Sequence, residues 1–288
     1  MTWLPMWALY RVSDLLAPIL YHIVRYRRRV VRTNLERSFP EKSPAEIRKI
    51  SREFYRRFAD NFVESIKLLS ISDKEMKRRV IYENVELVDE YLRQGKTLIA
   101  YFAHTGNWEW APSITLWSHA ENSPVFAQVY RPLRNARADH FFLKLRSRFG
   151  SLSFKKNNVI RDLLRLRATG RPSMTGFMSD QKPSHSDPGH LTTFLHRPTL
   201  MISGTEHLAR KLKAPVVYMR MLRERRGHYR VSIVPMADDA STLAPGELTE
   251  KYVRLLEENI VADPAGWLWS HNRWKHPVTL PQTTDVQP

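Results

Sequence analysis

The 288-residue chain contains no cysteine. That excludes a disulfide framework, a thiolate nucleophile and a zinc site with cysteine ligands. Acidic residues are scarce beside basic ones: 29 Asp+Glu against 46 Lys+Arg leave a net charge of +17. Such a chain is drawn to polyanions, among which nucleic acid, an anionic membrane face, phosphorylated lipids and an acidic carrier protein all qualify. No His-Glu-x-x-His block occurs, and the histidines from His119 to His228, His185 included, lack paired metal spacing, so no metal is expected. Internal repeats, low-complexity tracts and clear linkers are also missing. What remains is 42% apolar and 26% charged, the texture of a globular chain long enough for one large α/β domain or two small ones.

The first apolar stretch, "WLPMWALYRVSDLLAPILYHIV" at 3–24, approaches the length of a bilayer span. It lacks the positive flank and small-residue cleavage site of a secretory signal. Its interruptions, Arg11, Asp14, Pro18, His22 and Arg25, fall on one helical stripe. Trp3, Trp7, Tyr10 and Tyr21 suit the headgroup level of a membrane. The cationic run "RYRRRVVR" at 25–32 comes immediately after. Residues 1–30 are therefore expected to be a membrane-anchoring helix with a basic flank, lying in the interface or spanning at an angle, on a cytoplasmic face. A buried core helix with a solvated basic face is the alternative.

Residues 44–70 read as a helix, with Ile47, Ile50, Phe54, Phe58, Phe62 and Ile66 at helical spacing. Ser43 is a plausible cap, with Pro44 at the first helical position and Glu46 three residues after the cap. Strand-like runs occur at 97–103, 124–130, 173–179, 191–195, 214–222 and 229–235, and helical segments near 107–118, 136–149, 157–168, 204–213 and 246–262. The alternation predicts an α/β fold with a mostly parallel central sheet flanked by helices. Residues 31–288 are expected to form a single such domain.

Within "LIAYFAHTGNWEWAPS", His104 falls at the end of a strand, where parallel sheets gather their sites. Glu109 is five residues on, about 140° away on a continuous helix. Thr105 and Gly106 can break that continuity and Asn107 can cap the next helix, so the two side chains can converge. A carboxylate that orients an imidazole frees its other nitrogen to deprotonate a hydroxyl. No serine accompanies the pair, so the nucleophile would come from the substrate and the reaction would be acyl transfer. Glu109 could equally be there for the helix dipole and His104 be an ordinary strand-end residue.

The motif "HTGNWE" at 104–109 resembles the mark of the late acyltransferases of lipid A biosynthesis, within the lysophospholipid acyltransferase superfamily. The resemblance covers nearly the whole chain, through "RTNLERSFPE" (32–41), "VYRPLRN" (129–135), "SDQKP" (179–183) and "WLWSHNRWK" (267–275). It implies a glycerol-phosphate-acyltransferase-like fold at the cytoplasmic face of the inner membrane. It also implies transfer of a fatty acyl chain from acyl carrier protein onto a hydroxyl of a phosphorylated glycolipid, a lipid A precursor. His104 would be the general base and Glu109 its partner. The acyl thioester is a co-substrate, and no resident cofactor and no nucleic-acid partner are expected. The superfamily's Glu-Gly-Thr-Arg phosphate block is replaced by "SGTEH" at 203–207, which argues against lysophosphatidate as acceptor.

The remaining blocks carry candidate substrate contacts. Arg131 comes after a strand end, where a guanidinium can hold phosphate or polarise a thioester carbonyl, or simply face solvent. Asn135 is either a substrate contact or a helix cap. Asp180 and Gln181 can shape an acceptor pocket or form a turn with Pro183. Arg273 is expected near the substrate channel. Its block interleaves Trp267, Trp269 and Trp274 with cations, as nucleobase-stacking surfaces, membrane edges and packed lids all do. Two rival readings stay open: acylation of another membrane lipid, such as a lyso-phospholipid, amino-lipid or mannolipid, and a non-enzymatic basic module for membranes or nucleic acid.

Overall fold

The computed structural model describes residues 3–184 and 187–279; His185 and the end of the expected 31–288 domain lie outside them. A seven-stranded sheet runs in the order β1 (Val80–Glu83), β9 (His228–Ala237), β8 (Val216–Arg225), β2 (Thr97–Phe102), β5 (Ser173–Met178), β3 (Val125–Tyr130), β4 (Leu152–Lys155). Within this sheet, among the described residues, only the β8–β9 pair is antiparallel. A separate hairpin, β6 (His190–Phe194) with β7 (Arg197–Met201), stands beside the sheet. Strand β2 is central and almost wholly buried, as its continuous apolar run requires of a strand covered on both faces. The expected α/β class and its parallel centre are thus present. Short or amphipathic strands β1, β4 and β7 carry too little apolar signal to be read from sequence.

The helices are α1 (Met6–Pro18), α2 (Arg28–Ser38), α3 (Pro44–Lys67), α4 (Asp73–Arg79), α5 (Val85–Arg93), α6 (Ala136–Arg146), α7 (Val159–Ala168), α8 (Gly204–Leu212) and α9 (Glu247–Ala262). At the start of α3 the capping box forms as its sequence dictates: Glu46 N–H donates to Ser43 Oγ, and the Glu46 carboxylate accepts from Ser43 N–H at 2.8 Å. The helix buries Ile47, Phe54, Tyr55, Ala59 and Val63, whereas Phe62, placed on the apolar stripe by its spacing, is 59% exposed.

Helix α1 packs along α3 through Met6, Leu9, Ser13 and Ala17. Pro18 has no N–H to donate, and the chain continues from it as a π-turn, Ile19–Ile23, closed by Val24 N–H on the Ile19 carbonyl at 2.9 Å. The opposite face leaves Trp3, Trp7, Leu15, Ile19 and Ile23 in solvent. Among the described residues, no helix is long and apolar enough to cross a membrane.

Candidate active site

Strands β2 and β5 are parallel neighbours with Phe102 opposite Met178. His104 lies two residues beyond Phe102, and Asp180 two residues beyond Met178. Equal overrun past a paired position brings the two side chains together, because neighbouring strands are only about 4.8 Å apart. His104 Nδ1 lies 2.7 Å from Asp180 Oδ1, and the His104 N–H donates to Asp180 Oδ2 at 3.1 Å. Trp267 Nε1–H donates to the same Oδ2 at 2.8 Å. Asp180 is 1% exposed. Burial alone would raise its pKa, but the neighbouring His104 charge and the hydrogen bonds from His104 and Trp267 outweigh it and hold the carboxyl at about 2. A permanent carboxylate on Nδ1 fixes the tautomer that carries its proton there. Nε2 is then the basic nitrogen, with the Gln181 amide 3.3 Å away.

The carboxylate hydrogen-bonded to His104 is therefore Asp180, not Glu109 as the five-residue spacing suggested. The predicted break between them does occur: Gly106 has φ +57° in the left-handed region, and an unbroken helix is avoided. The chain then enters a 3₁₀ helix, Trp108–Leu116, with Pro112 inside it, which carries Glu109 toward α6. There the Glu109 carboxylate accepts both prongs of the Arg146 guanidinium, at 2.7 and 2.9 Å. Burial works against the Arg146 charge, but the bonds to Glu109 win and raise its pKa. Asn107 does not cap; its amide donates to Glu64 Oε2 at 2.8 Å.

The turn is clamped from two sides. Asn61 of α3 donates to the Gly106 carbonyl at 2.7 Å, Gly106 N–H donates to the Gly266 carbonyl at 3.0 Å, and Leu268 N–H donates to the His104 carbonyl at 3.1 Å. The C-terminal block is thus a packed lid: Trp267 and Trp269 are buried and stack edge to face. Asn34 of α2 holds it by donating to the carbonyls of Trp269 and His271, at 3.0 Å each. The blocks at 32–41 and 267–275, remote in sequence, are one structural unit.

His104, Glu109, Arg131, Arg146, Gln181 and Arg273 line a single cleft of about 1370 Å³. That exceeds the roughly 300–1,000 Å³ of a drug-sized pocket. Phe126, Phe142, Met174, Phe177 and Met219 add apolar surface to its lining. Arg131 is exposed at the rim after β3. Arg273 is 4% exposed and donates to the Leu200 carbonyl at 2.6 Å; burial lowers its pKa to about 10, so it stays a cation at neutral pH. Asn135 is not on the cleft: its Oδ1 accepts from Ala138 N–H at 3.0 Å and caps α6. Glu206 of "SGTEH" is likewise spent on structure, accepting from Gly246 and Thr249 at the start of α9.

Three residues of the site escaped the sequence reading of roles. Arg146 sits in "LKLRSRFG", which has no pattern to distinguish it from a solvated arginine. Trp267 was visible only as part of an aromatic–basic run. His271 lines the cleft with Nε2 unpartnered among the described residues, and burial depresses its pKa to about 4, leaving it neutral. No curated protein matches the chain. The family model of the bacterial lipid A biosynthesis acyltransferases matches residues 1–276, and the chain belongs to that family.

Proposed function

We propose that this lipid A acyltransferase moves a fatty acyl chain from an acyl thioester to a hydroxyl of a lipid A precursor, with His104 as general base and Asp180 as the carboxylate that holds it. The observation that carries this reading is the buried Asp180 carboxylate 2.7 Å from Nδ1 of an imidazole that lines a cleft of lipid size. The acceptor hydroxyl gives its proton to His104 Nε2 as its oxygen attacks the thioester carbonyl. The Gln181 amide, beside Nε2, is placed to donate to the oxyanion that develops. Collapse of the tetrahedral intermediate breaks the carbon–sulfur bond, and the leaving thiolate takes the proton back from the imidazolium. No covalent acyl-enzyme and no resident cofactor enter this sequence.

Glu109 acts through Arg146, whose guanidinium it fixes on the cleft wall. Arg131 at the rim and Arg273 deeper in the cleft meet the anionic acceptor. The donor is acyl carrier protein, an acidic partner suited to a +17 chain. Residues 1–30 anchor the enzyme at the cytoplasmic face of the inner membrane. The outward ridge of Trp3, Trp7, Leu15, Ile19 and Ile23, with arginines next in the chain, supports an in-plane anchor.

Purified protein incubated with carrier-protein and coenzyme A thioesters and a lipid A precursor, with products read by mass spectrometry, tests the whole scheme. Acylated product with the wild type and its loss in a folded His104→Ala variant are expected; unchanged transfer in that variant overturns the mechanism.

A further inference from the structure

A second cavity, about 640 Å³, lies between α1, α3 and the tip of the β8–β9 hairpin, apart from the His104 cleft. We propose that it binds a phosphate-bearing anion of the kind carried by phospholipid headgroups. Six arginines line it, four of them already engaged. Arg223 and Arg226 hold the buried Asp60 at 2.7 and 2.6 Å, and Arg226 also reaches Asp14 at 2.7 Å. Arg57 pairs with Glu53 at 3.0 Å and with Asp263 at 2.5 Å, and Arg56 lies 3.8 Å from Glu53. Glu224, the remaining carboxylate of the lining, is turned to Arg230. Arg52 and Arg225 are left with no carboxylate within ion-pair distance among the described residues.

The cavity therefore has a fixed ionic floor and two free guanidiniums on its walls. Planar guanidinium forks match the oxygens of a phosphate bidentately. Ala17, Pro18, Tyr21 and Tyr55 add an apolar side that can take the carbon adjoining the phosphate. The opening is at the surface: the Asp14 and Arg226 side chains keep 48% and 37% exposure. Its rim is α1 and the π-turn that follows it, whose other face carries the exposed Leu15, Ile19 and Ile23. A helix lying on a bilayer by that face brings the cavity to headgroup depth, where phosphodiesters are the abundant anion. The site is independent of the acyl-transfer reading, because it shares no residue with the His104 cleft.

Calorimetric titration of the full chain with a monomeric short-chain phosphatidylglycerol, and separately with inorganic phosphate, tests the site. Arg52→Gln/Arg225→Gln is compared with Arg93→Gln/Arg171→Gln, which removes the same charge from exposed arginines outside the cavity. Lipid affinity is expected to fall at least tenfold in the first pair and less than twofold in the second. Tighter binding of the lipid than of inorganic phosphate assigns the occupant to a headgroup; equal binding of both, lost in the first pair, assigns it to free phosphate. Equal losses in the two pairs, or no loss in the first, overturn the site.

Discussion

Asp180 holds the His104 ring from the neighbouring strand, 76 residues further along the chain. The relationship is a consequence of register: both residues overrun the Phe102–Met178 pair by the same two steps. His104→Ala is expected to lower acyl transfer by at least about 10³-fold, and Asp180→Asn by about 10²–10⁴-fold, because the amide no longer fixes the tautomer. The double variant should be hardly worse than the worse single, since the two act as a unit. Rates from single-turnover assays, with melting curves to confirm folding, check this; additive losses would separate the residues.

The Asp180 carboxyl, held at about 2 against 3.8 unperturbed, makes a pH prediction. A depressed native pKa stabilises the fold above the unfolded value, and that contribution disappears as pH falls toward the native one. It is worth about 2 kcal/mol by linkage. The difference in unfolding free energy between wild type and Asp180→Asn should be larger at about pH 5 than at about pH 2. It should narrow between about pH 4 and 2, which urea titrations across that range would show.

Glu109 and Arg146 form the second coupled pair. Glu109→Gln leaves a largely buried guanidinium without its counter-charge, which costs up to about 3–5 kcal/mol for a fully buried pair and less here, where Arg146 keeps 23% exposure. A double-mutant cycle should give a large coupling energy between Glu109→Gln and Arg146→Gln, and a small one between Glu109→Gln and His104→Ala. The reverse pattern would restore the His104–Glu109 dyad that the spacing suggested.

The contrast shows what the sequence could carry. The strand, the bend at Thr105–Gly106 and the capping box of α3 are local, and local chemistry announces them. Asp180 was visible as a polar residue after a strand, but its task depends on β5 lying beside β2, although β3 and β4 intervene between them in the chain. Strand order is a tertiary fact with no signature in either segment. Arg146 was illegible for the same reason: nothing at "LKLRSRFG" marks the end of α6 as the place Glu109 reaches. The tryptophans of the C-terminal block showed a composition, and only burial decided that they pack as a lid.

Gly106 occupies a left-handed conformation, and a Cβ there would sit 2.8 Å from Met221 Sδ. Gly106→Val is expected to destabilise the fold by about 2–4 kcal/mol, from the backbone penalty and the overpacking together. Transfer should fall as well, because the turn carries His104. Met221 is buried, so Met221→Ala alone costs about 2–5 kcal/mol; on that background, which removes the clash and leaves the backbone strain, Gly106→Ala should cost less than it does in the wild type. No cost at all on that background would show that the left-handed φ is not required.

Glu64 ties the N-terminal helix to the same turn from inside the protein. Its fully buried carboxyl accepts from Tyr10 at 2.9 Å, Asn107 at 2.8 Å and Tyr229 at 2.7 Å. Burial raises its pKa, opposed by the hydrogen bonds and by Arg223. A carboxyl raised in the native state stabilises the fold in its protonated form below the unfolded pKa, and that stability is lost as pH rises through the native value. Glu64→Gln keeps the acceptor oxygen without the charge. Relative to wild type it should therefore gain stability as pH rises above the ordinary carboxylate range, whereas Glu64→Ala should cost about 2–4 kcal/mol by stranding three buried donors. Activity separates the two tasks of the residue: Glu64→Ala, which releases Asn107, should lose transfer out of proportion to its stability. Glu64→Gln should retain most of it. Equal activity in both variants at matched stability would mean that Glu64 serves the core alone and does not position the His104 turn.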